Sequence, residues 1–332
     1  MQNHNTQMEC PTCGLTDRLD EFDPHPDNTG VWCPDCQTFI WHDPADNHQR
    51  STLLLEQKTS PATAGEPHPA SPYKFNKRLS PLRYPGGKSK LIDYLFTRLQ
   101  KDKCETFVEV FAGGASFGLA LLDAGVVNHL VLNDADKNLI TFWKEVFYNP
   151  EPLIQKLHKI HPTHQDYSHA KGLLCTSAPA SPPELAWAYL LVNRLNYSGI
   201  QKAGCLGGKH GSTDALLARY NPKALIKQIT HLAELKDCIT ILGQDYTDCI
   251  QKYYWNDRAT LFIDPPYYAQ GKALYNNYFT DQDHRDLADL IQSLTLEFPG
   301  CADILITYDN DPFIQSLYWS INPIYINRKY SI

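Results

Sequence analysis

No apolar run in this 332-residue chain approaches the ~18 residues that a membrane-spanning helix needs. The opening residues, MQNHNTQMECPTCG, lack the basic stretch and apolar core of a secretory signal. The expectation is a cytoplasmic protein with no membrane association, so its ten cysteines should be thiols or metal ligands rather than disulfides. Internal repeats are missing too. Nor is there a compositional extreme: 42% of residues are hydrophobic and 20% charged, which excludes a chain disordered throughout. At roughly 100–200 residues per domain, the length fits two domains, or one large domain with an appendage.

The net charge of −7 is unevenly spread. Residues 1–50 hold nine acids against Arg18 and Arg50, so this segment carries the whole −7 and the remainder sums to zero. Within that remainder, residues 74–90 contain no acid and six bases: Lys74, Lys77, Arg78, Arg83, Lys88 and Lys90. Residues 185–236 carry seven bases, among them Arg194, Lys202, Lys209 and Arg219, against Asp214 and Glu234. Local basic surfaces suit phosphate contacts, with a solvated charged face as the plainer alternative.

Two Cys-x-x-Cys knuckles, Cys10-Pro-Thr-Cys13 and Cys33-Pro-Asp-Cys36, stand 19 residues apart. At this spacing four thiolates can enclose one tetrahedral zinc, which predicts a zinc ribbon over residues 1–42. So short a module builds little core without a metal. Its acidity argues against a general DNA clamp and for contact with a protein partner or another part of the chain, with a passive stabilising appendage as the plainer alternative. Residues 43–80 read as a linker, since TSPATAGEPHPASP has four prolines and little that packs. Everything before residue 73 is then expected to be separable from the folding and chemistry of the rest of the chain.

From residue 81 onward, short apolar strands alternate with helical spacing. TFVEVF (106–111), HLVLND (129–134), CITILG (238–243), TLFID (260–264) and DILITYD (303–309) read as strands. KSKLIDYLFTRLQ (88–100), ASFGLALLDAG (115–125), KNLITFWKEVF (137–147) and DQDHRDLADLIQSL (281–294) read as helices, and 150–236 as mainly helical. This order predicts an α/β domain with a parallel sheet and a site beyond the carboxyl ends of its strands.

Three motifs fall at such ends. Phe111-Ala112-Gly113-Gly114 opens a helix and lets a ligand approach the backbone. Asn133-Asp134 ends the next strand, where an acid can accept ribose hydroxyls or cap a helix. Asp264-Pro265-Pro266-Tyr267 offers a carboxylate and carbonyls, two missing N–H donors and an aromatic face, which suits a planar group bearing an amine. Gly86-Gly87-Lys88-Ser89 is not a P-loop, because the required first glycine falls on Leu82.

In this order the motifs resemble the DNA adenine methylase (Dam) family of S-adenosylmethionine-dependent enzymes, over roughly residues 81–330. RYPGGKSKL (83–91), FVEVFAGGASFGLALL (107–122), LNDADKNLITFWK (132–144), LLVNRLNYSGI (190–200), FIDPPYYAQGKALYNNYFTDQDHRDLADLI (262–291) and ILITYDND (304–311) carry the resemblance. It implies a Rossmann-like methyltransferase domain over 81–332 with a mainly helical DNA-recognition insertion at about 150–236. It implies that Tyr84, Gly87 and Lys88 border the methionine end of S-adenosylmethionine. Phe111 and Gly113 would line its pocket, Asp134 would hold the ribose, and Asp245 and Tyr246 would cover its adenine. Asp264, Pro265, Pro266 and Tyr267 would receive the target base, with Asp264 between base and cofactor, and Arg194, Lys202, Lys209 and Arg219 would contact double-stranded DNA.

The implied function is site-specific methylation of the adenine 6-amino group after the base is flipped out, by an enzyme monomeric in solution, either standing alone or paired with a restriction nuclease. The alternatives are an amine methylase acting on RNA or protein, or a DNA-binding protein with a decayed methylase body. The resemblance also implies a further sheet strand beyond YINRKYSI, so that this strand is either missing or replaced. It assigns no role to the zinc ribbon.

Overall fold

The computed structural model describes residues 7–9, 16–18, 23–24, 30–32, 39–41, 51–58, 72–100, 104–176, 179–269, 278–299 and 301–328. The chain forms two compact units, Met1–Gln49 and Arg50–Ile332. In the first, Gln7–Glu9 pairs antiparallel with Thr16–Arg18, and Gly30–Trp32 pairs antiparallel with both Asp23–Pro24 and Phe39–Trp41. Cys10, Cys13, Cys33 and Cys36 lie outside the described residues, among which no cluster of metal-binding side chains occurs.

The second unit is a seven-stranded sheet. Its strands are β1 (Ser51–Lys58), β2 (Thr106–Glu109), β3 (His129–Asn133), β4 (Ile239–Leu242), β5 (Ala259–Ile263), β6 (Asp303–Asp309) and β7 (Pro323–Arg328). They lie in the order β7-β1-β6-β5-β2-β3-β4, and every pairing is parallel.

Side chains on a strand alternate between faces, so each strand feeds two cores. Phe107, Leu130, Phe262 and Leu305 pack into one layer, whereas Val108, Val131, Leu261 and Ile304 pack into the other. The first layer is covered by α1 (Ile92–Phe96), α2 (Ser116–Asp123), α3 (Lys137–Tyr148), α4 (Glu151–Lys159), α5 (His164–Cys175), α6 (Pro182–Leu195), α7 (Thr213–Leu216) and α8 (Pro222–Glu234). The second is covered by α9 (Tyr246–Tyr254), α10 (Asp281–Glu297) and α11 (Pro312–Leu317). The helical insertion belongs to the first layer: α6 buries Ala186 through Val192 against α3 and α5. Among the described residues, no helix is long and apolar enough to cross a membrane.

Two sequence expectations need correction. The supposed linker contains a strand of the sheet that is paired on both sides. In β1, Leu53 and Leu55 enter one core and Leu54 the other, each no more than 1% exposed. A parallel strand covered on both faces reads as a continuous apolar run rather than an alternation, and three leucines beside a proline-rich tract are too short a run to stand out. The proline-rich residues 59–71 lie outside the described residues, but residues 72–80 pack, burying Phe75 and Leu79. Consequently the expectation that everything before residue 73 is separable fails at β1. The expected helix over 88–100 is also broken. A 3-10 turn at Lys88–Lys90 precedes α1, which ends at Phe96. At the far edge, β1 pairs with β6 and also with β7, so the sheet gains its outer strands from both ends of the unit.

Candidate active site

Strand order reverses between β2 and β5: the chain leaves β2 outward through β3 and β4, then returns to β5 on the other side. Loops diverge at such a point and leave a crevice beyond the strand ends. One cavity there is lined by all the residues expected for cofactor and target base: Tyr84, Gly87, Lys88, Phe111, Gly113, Asp134, Asp245, Tyr246, Asp264, Pro265, Pro266 and Tyr267.

The half beyond β2 and β3 rests on backbone groups. Gly113 has φ +45°, and a Cβ there would stand 2.7 Å from the Tyr84 ring, which lies across the turn. Tyr84 therefore makes glycine obligatory at this position. Asp134 Oδ2 accepts the Gly113 N–H at 3.1 Å and Oδ1 accepts the Asp136 N–H at 3.0 Å, tying the acid to the glycine turn. Burial pushes the Asp134 carboxyl up to about 6 against the pull of these donors. The carboxylate keeps acceptor capacity for a further donor.

Buried Asn133 joins three strand ends: its amide donates to the carbonyls of Val110 and Gln244, and its oxygen accepts the Gln244 N–H. Phe111, Tyr246 and Phe279 form an aromatic wall, with Phe111 and Tyr246 stacked at 5.7 Å. Asp245 caps α9 by accepting the Thr247 N–H at 2.9 Å.

The half beyond β5 is built from charges. Asp264 Oδ1 accepts from the Thr307 hydroxyl at 2.7 Å, and Oδ2 from the Lys88 ammonium at 2.5 Å. Lys88 Nζ also donates to the Gly86 carbonyl and the Tyr267 hydroxyl, both at 3.0 Å, and stands 3.5 Å from Glu56 Oε1. Lys88, expected at the methionine end of the cofactor, lines the same cavity, with its ammonium on the Asp264 carboxylate. Burial raises the Asp264 carboxyl above the usual range, the ammonium opposes the rise, and Glu56 adds to it. Below them Glu109 accepts the Gly118 N–H, and burial lifts its carboxyl to about 8. Farther along the loop, Asp309 at the end of β6 accepts the N–H groups of Tyr268 and Ala269, holding the segment that follows Tyr267.

A family model described as D12 class N6 adenine-specific DNA methyltransferase matches residues 84–332, most of the chain. The protein belongs to this family. Type II methyltransferase M.MjaIII of Methanocaldococcus jannaschii is 22% identical over 268 residues, covering 73% of this chain and 88% of that protein. Retron Ec67 DNA adenine methylase of Escherichia coli is 24% identical over 255 residues, covering 76% of this chain and 84% of that protein. The reaction is therefore transfer of a methyl group to the 6-amino nitrogen of adenine in DNA, with S-adenosylmethionine as the family's methyl donor. DNA replaces RNA and protein as the substrate class.

The methyltransferase has a second, basic cavity beside the first. Lys77, Arg78, Arg83, Lys90 and Arg194 line it, and it shares Tyr84 through Gly87 with the site above. Of the expected DNA residues, Lys202, Lys209 and Arg219 are exposed. Arg194 is half-buried, donates to the carbonyls of Pro81 and Arg219, and loses proton affinity to about 10 through burial beside Arg83 and Arg219. Its first job is to tie the insertion to the loop before Tyr84. Gly199, at φ +74°, allows the same approach, since a Cβ there would stand 2.1 Å from the Arg83 carbonyl. Glu56, Glu109, Asn133 and Thr307 were not expected as site residues. Glu109, Asn133 and Thr307 lie inside the quoted motifs, whereas nothing in the sequence around Glu56 marks it.

Proposed function

We propose that this methyltransferase holds S-adenosylmethionine against Tyr84, Gly113, Asp134 and the Phe111–Tyr246 wall, and receives a flipped-out adenine at Asp264-Pro265-Pro266-Tyr267. The residues present fit the donor. A glycine turn admits close approach, a half-buried carboxylate keeps acceptor capacity for ribose hydroxyls, and aromatic rings face a planar base. When bound, the cofactor supplies an electrophilic sulfonium methyl.

The carrying observation is the double restraint on Asp264. Thr307 and Lys88 each occupy one oxygen and fix the carboxylate, leaving one lone pair on each for the amine. With the Pro265 carbonyl, Asp264 accepts the amine hydrogens, aims the nitrogen lone pair and stabilises the positive charge that grows on it. The Tyr267 ring stacks on the base, which recovers ~1–3 kcal/mol of the few kcal/mol that flipping costs. The basic cavity and Lys202, Lys209 and Arg219 take the phosphates of double-stranded DNA.

For the first unit, the strand pairs Gln7–Glu9 with Thr16–Arg18 and Gly30–Trp32 with Phe39–Trp41 bracket the two knuckles. This supports a structural zinc held by Cys10, Cys13, Cys33 and Cys36 in a module that binds a protein partner rather than DNA. The enzyme acts in the cytoplasm as a monomer.

The test is an incubation with labelled S-adenosylmethionine and duplex DNA, RNA or protein, followed by mapping of modified bases. Label in the 6-amino group of adenines in one duplex sequence is expected, and its loss in Asp264→Ala with cofactor affinity retained. Turnover near wild type in that variant would overturn the assignment of Asp264.

A further inference from the structure

β1 lies outside residues 84–332, yet it ends in the active site. Its register places Glu56 beside Asp309 of β6 and Ile326 of β7, at the carboxyl edge of the sheet where ligands gather. Glu56 is 3% exposed, and its Oε1 stands 3.5 Å from the Lys88 ammonium, which is itself 2% exposed. The same ammonium lies 2.5 Å from Asp264 Oδ2. Buried carboxylates are rare unless paired, and this one is aimed at the cation that the acceptor carboxylate also uses.

Charge balance gives the arrangement its meaning. Lys88 and Asp264 alone sum to zero, whereas methylation makes the amine nitrogen cationic before it sheds a proton. A neutral pair stabilises that cation poorly. Glu109, the other carboxyl facing Lys88 and Asp264, holds its proton up to about pH 8 and contributes little charge below it. The Tyr267 hydroxyl, which accepts from Lys88, and the Thr307 hydroxyl, which donates to Asp264, add no formal charge. Glu56 is thus the group that restores a net negative charge.

We propose that Glu56 is a positioning residue for methyl transfer: it shares the Lys88 ammonium with Asp264 and so leaves the Asp264 carboxylate its negative charge toward the amine. A strand from the N-terminal side of the family domain thereby completes the site. The inference rests on Asp264 as the amine acceptor.

The test is Glu56→Gln in the full-length protein, with single-turnover rates across pH, cofactor affinity by calorimetry, and the 13C resonance of the Asp264 carboxyl followed by NMR without cofactor. The expected result is a methyl-transfer rate at least tenfold lower at neutral pH, with S-adenosylmethionine affinity within threefold of wild type. Removing a neighbouring negative charge lowers the Asp264 pKa, so both its NMR titration and the acid limb of the rate profile move to lower pH. A purely structural residue would move neither. Rates within twofold of wild type and an unmoved titration would overturn the proposal. Should Glu56→Gln fail to fold, the pair Glu56→Asp and Glu56→Asn, equal in size, decides: the charged variant must be at least fivefold faster, and equal rates overturn it. Asp264→Ala separates the two readings, because activity in that variant removes the acceptor assignment itself, whereas activity in Glu56→Gln alone removes only the role of Glu56.

Discussion

The glycine turn and Asp134 are fastened to each other and to neighbouring N–H groups within two successive strand–loop units, β2 and β3. Asp264, by contrast, meets partners from three other segments: Lys88 before α1, Thr307 on β6 and, through Lys88, Glu56 on β1. The cofactor half therefore depends on backbone shape, and the acceptor half on a buried charge balance. Shape tolerates a change of charge, and a charge balance tolerates small changes of shape. Neither tolerates the reverse. The two halves should fail differently, and that difference can be measured.

The largest effect belongs to the acceptor half. Asp264→Ala should lower the rate of transfer on the order of 10³-fold while cofactor affinity changes only a few-fold, because the carboxylate acts on the amine in the transition state. Calorimetry beside rapid-quench assays checks the split; parallel loss of both would merge the two halves into one.

Deleting residues 1–58 should abolish cooperative folding of the remainder, since it removes β1 from between β6 and β7. Leu53, Leu54 and Leu55 alone account for about 1.5–3 kcal/mol each as an upper estimate. Deleting 1–49 should leave the melting transition and methyl transfer in place. Similar melting curves for the two truncations would show that β1 is dispensable.

Gly113→Ala probes the cofactor half. It puts a side chain at φ +45° and drives a methyl group into the Tyr84 ring, so it should destabilise by ~1–3 kcal/mol and weaken cofactor binding more than it slows bound-state transfer. A lower rate with unchanged affinity would mean that the turn serves the acceptor instead.

Glu109→Gln sharpens the charge argument. The folded Glu109 carboxyl, at about 8, lies above its ordinary 4.5. The native state therefore holds an extra proton in that window, and its stability falls as pH rises through it. Glutamine mimics the protonated form. The variant should melt above wild type at pH 8 and beyond and converge with it near pH 4.5, as thermal scans across pH would record. The opposite trend would mean that Glu109 is ionised in the fold.

The smallest effect is at the surface. Lys209→Ala should weaken all DNA sequences alike and reduce the salt slope of binding by about one unit. A loss confined to the cognate sequence would make Lys209 a reader of bases.

The strands β2 to β6, the glycine turn, Asp134 and Asp264-Pro265-Pro266-Tyr267 were legible in the sequence. Each is a local pattern: an apolar run followed at once by residues whose backbone or side chain is exceptional. Their gathering into one cavity follows from strand order, because parallel strands carry their loops to the same edge. Other features were settled only by the tertiary structure. STLLLEQK carries no period that distinguishes it from a linker, and it becomes a strand because β6 and β7 supply hydrogen-bonding partners on both sides. For Lys88, read as a cofactor contact, and Arg194, read as a phosphate contact, the sequence displays charge but not burial. Folding brings Lys88 within reach of two carboxylates more than thirty and more than a hundred residues away, and sets Arg194 on two backbone carbonyls. Local pattern determines which residues have chemistry to offer, and long-range pairing decides which charges must share a dry space, because electrostatic coupling depends on distance and desolvation.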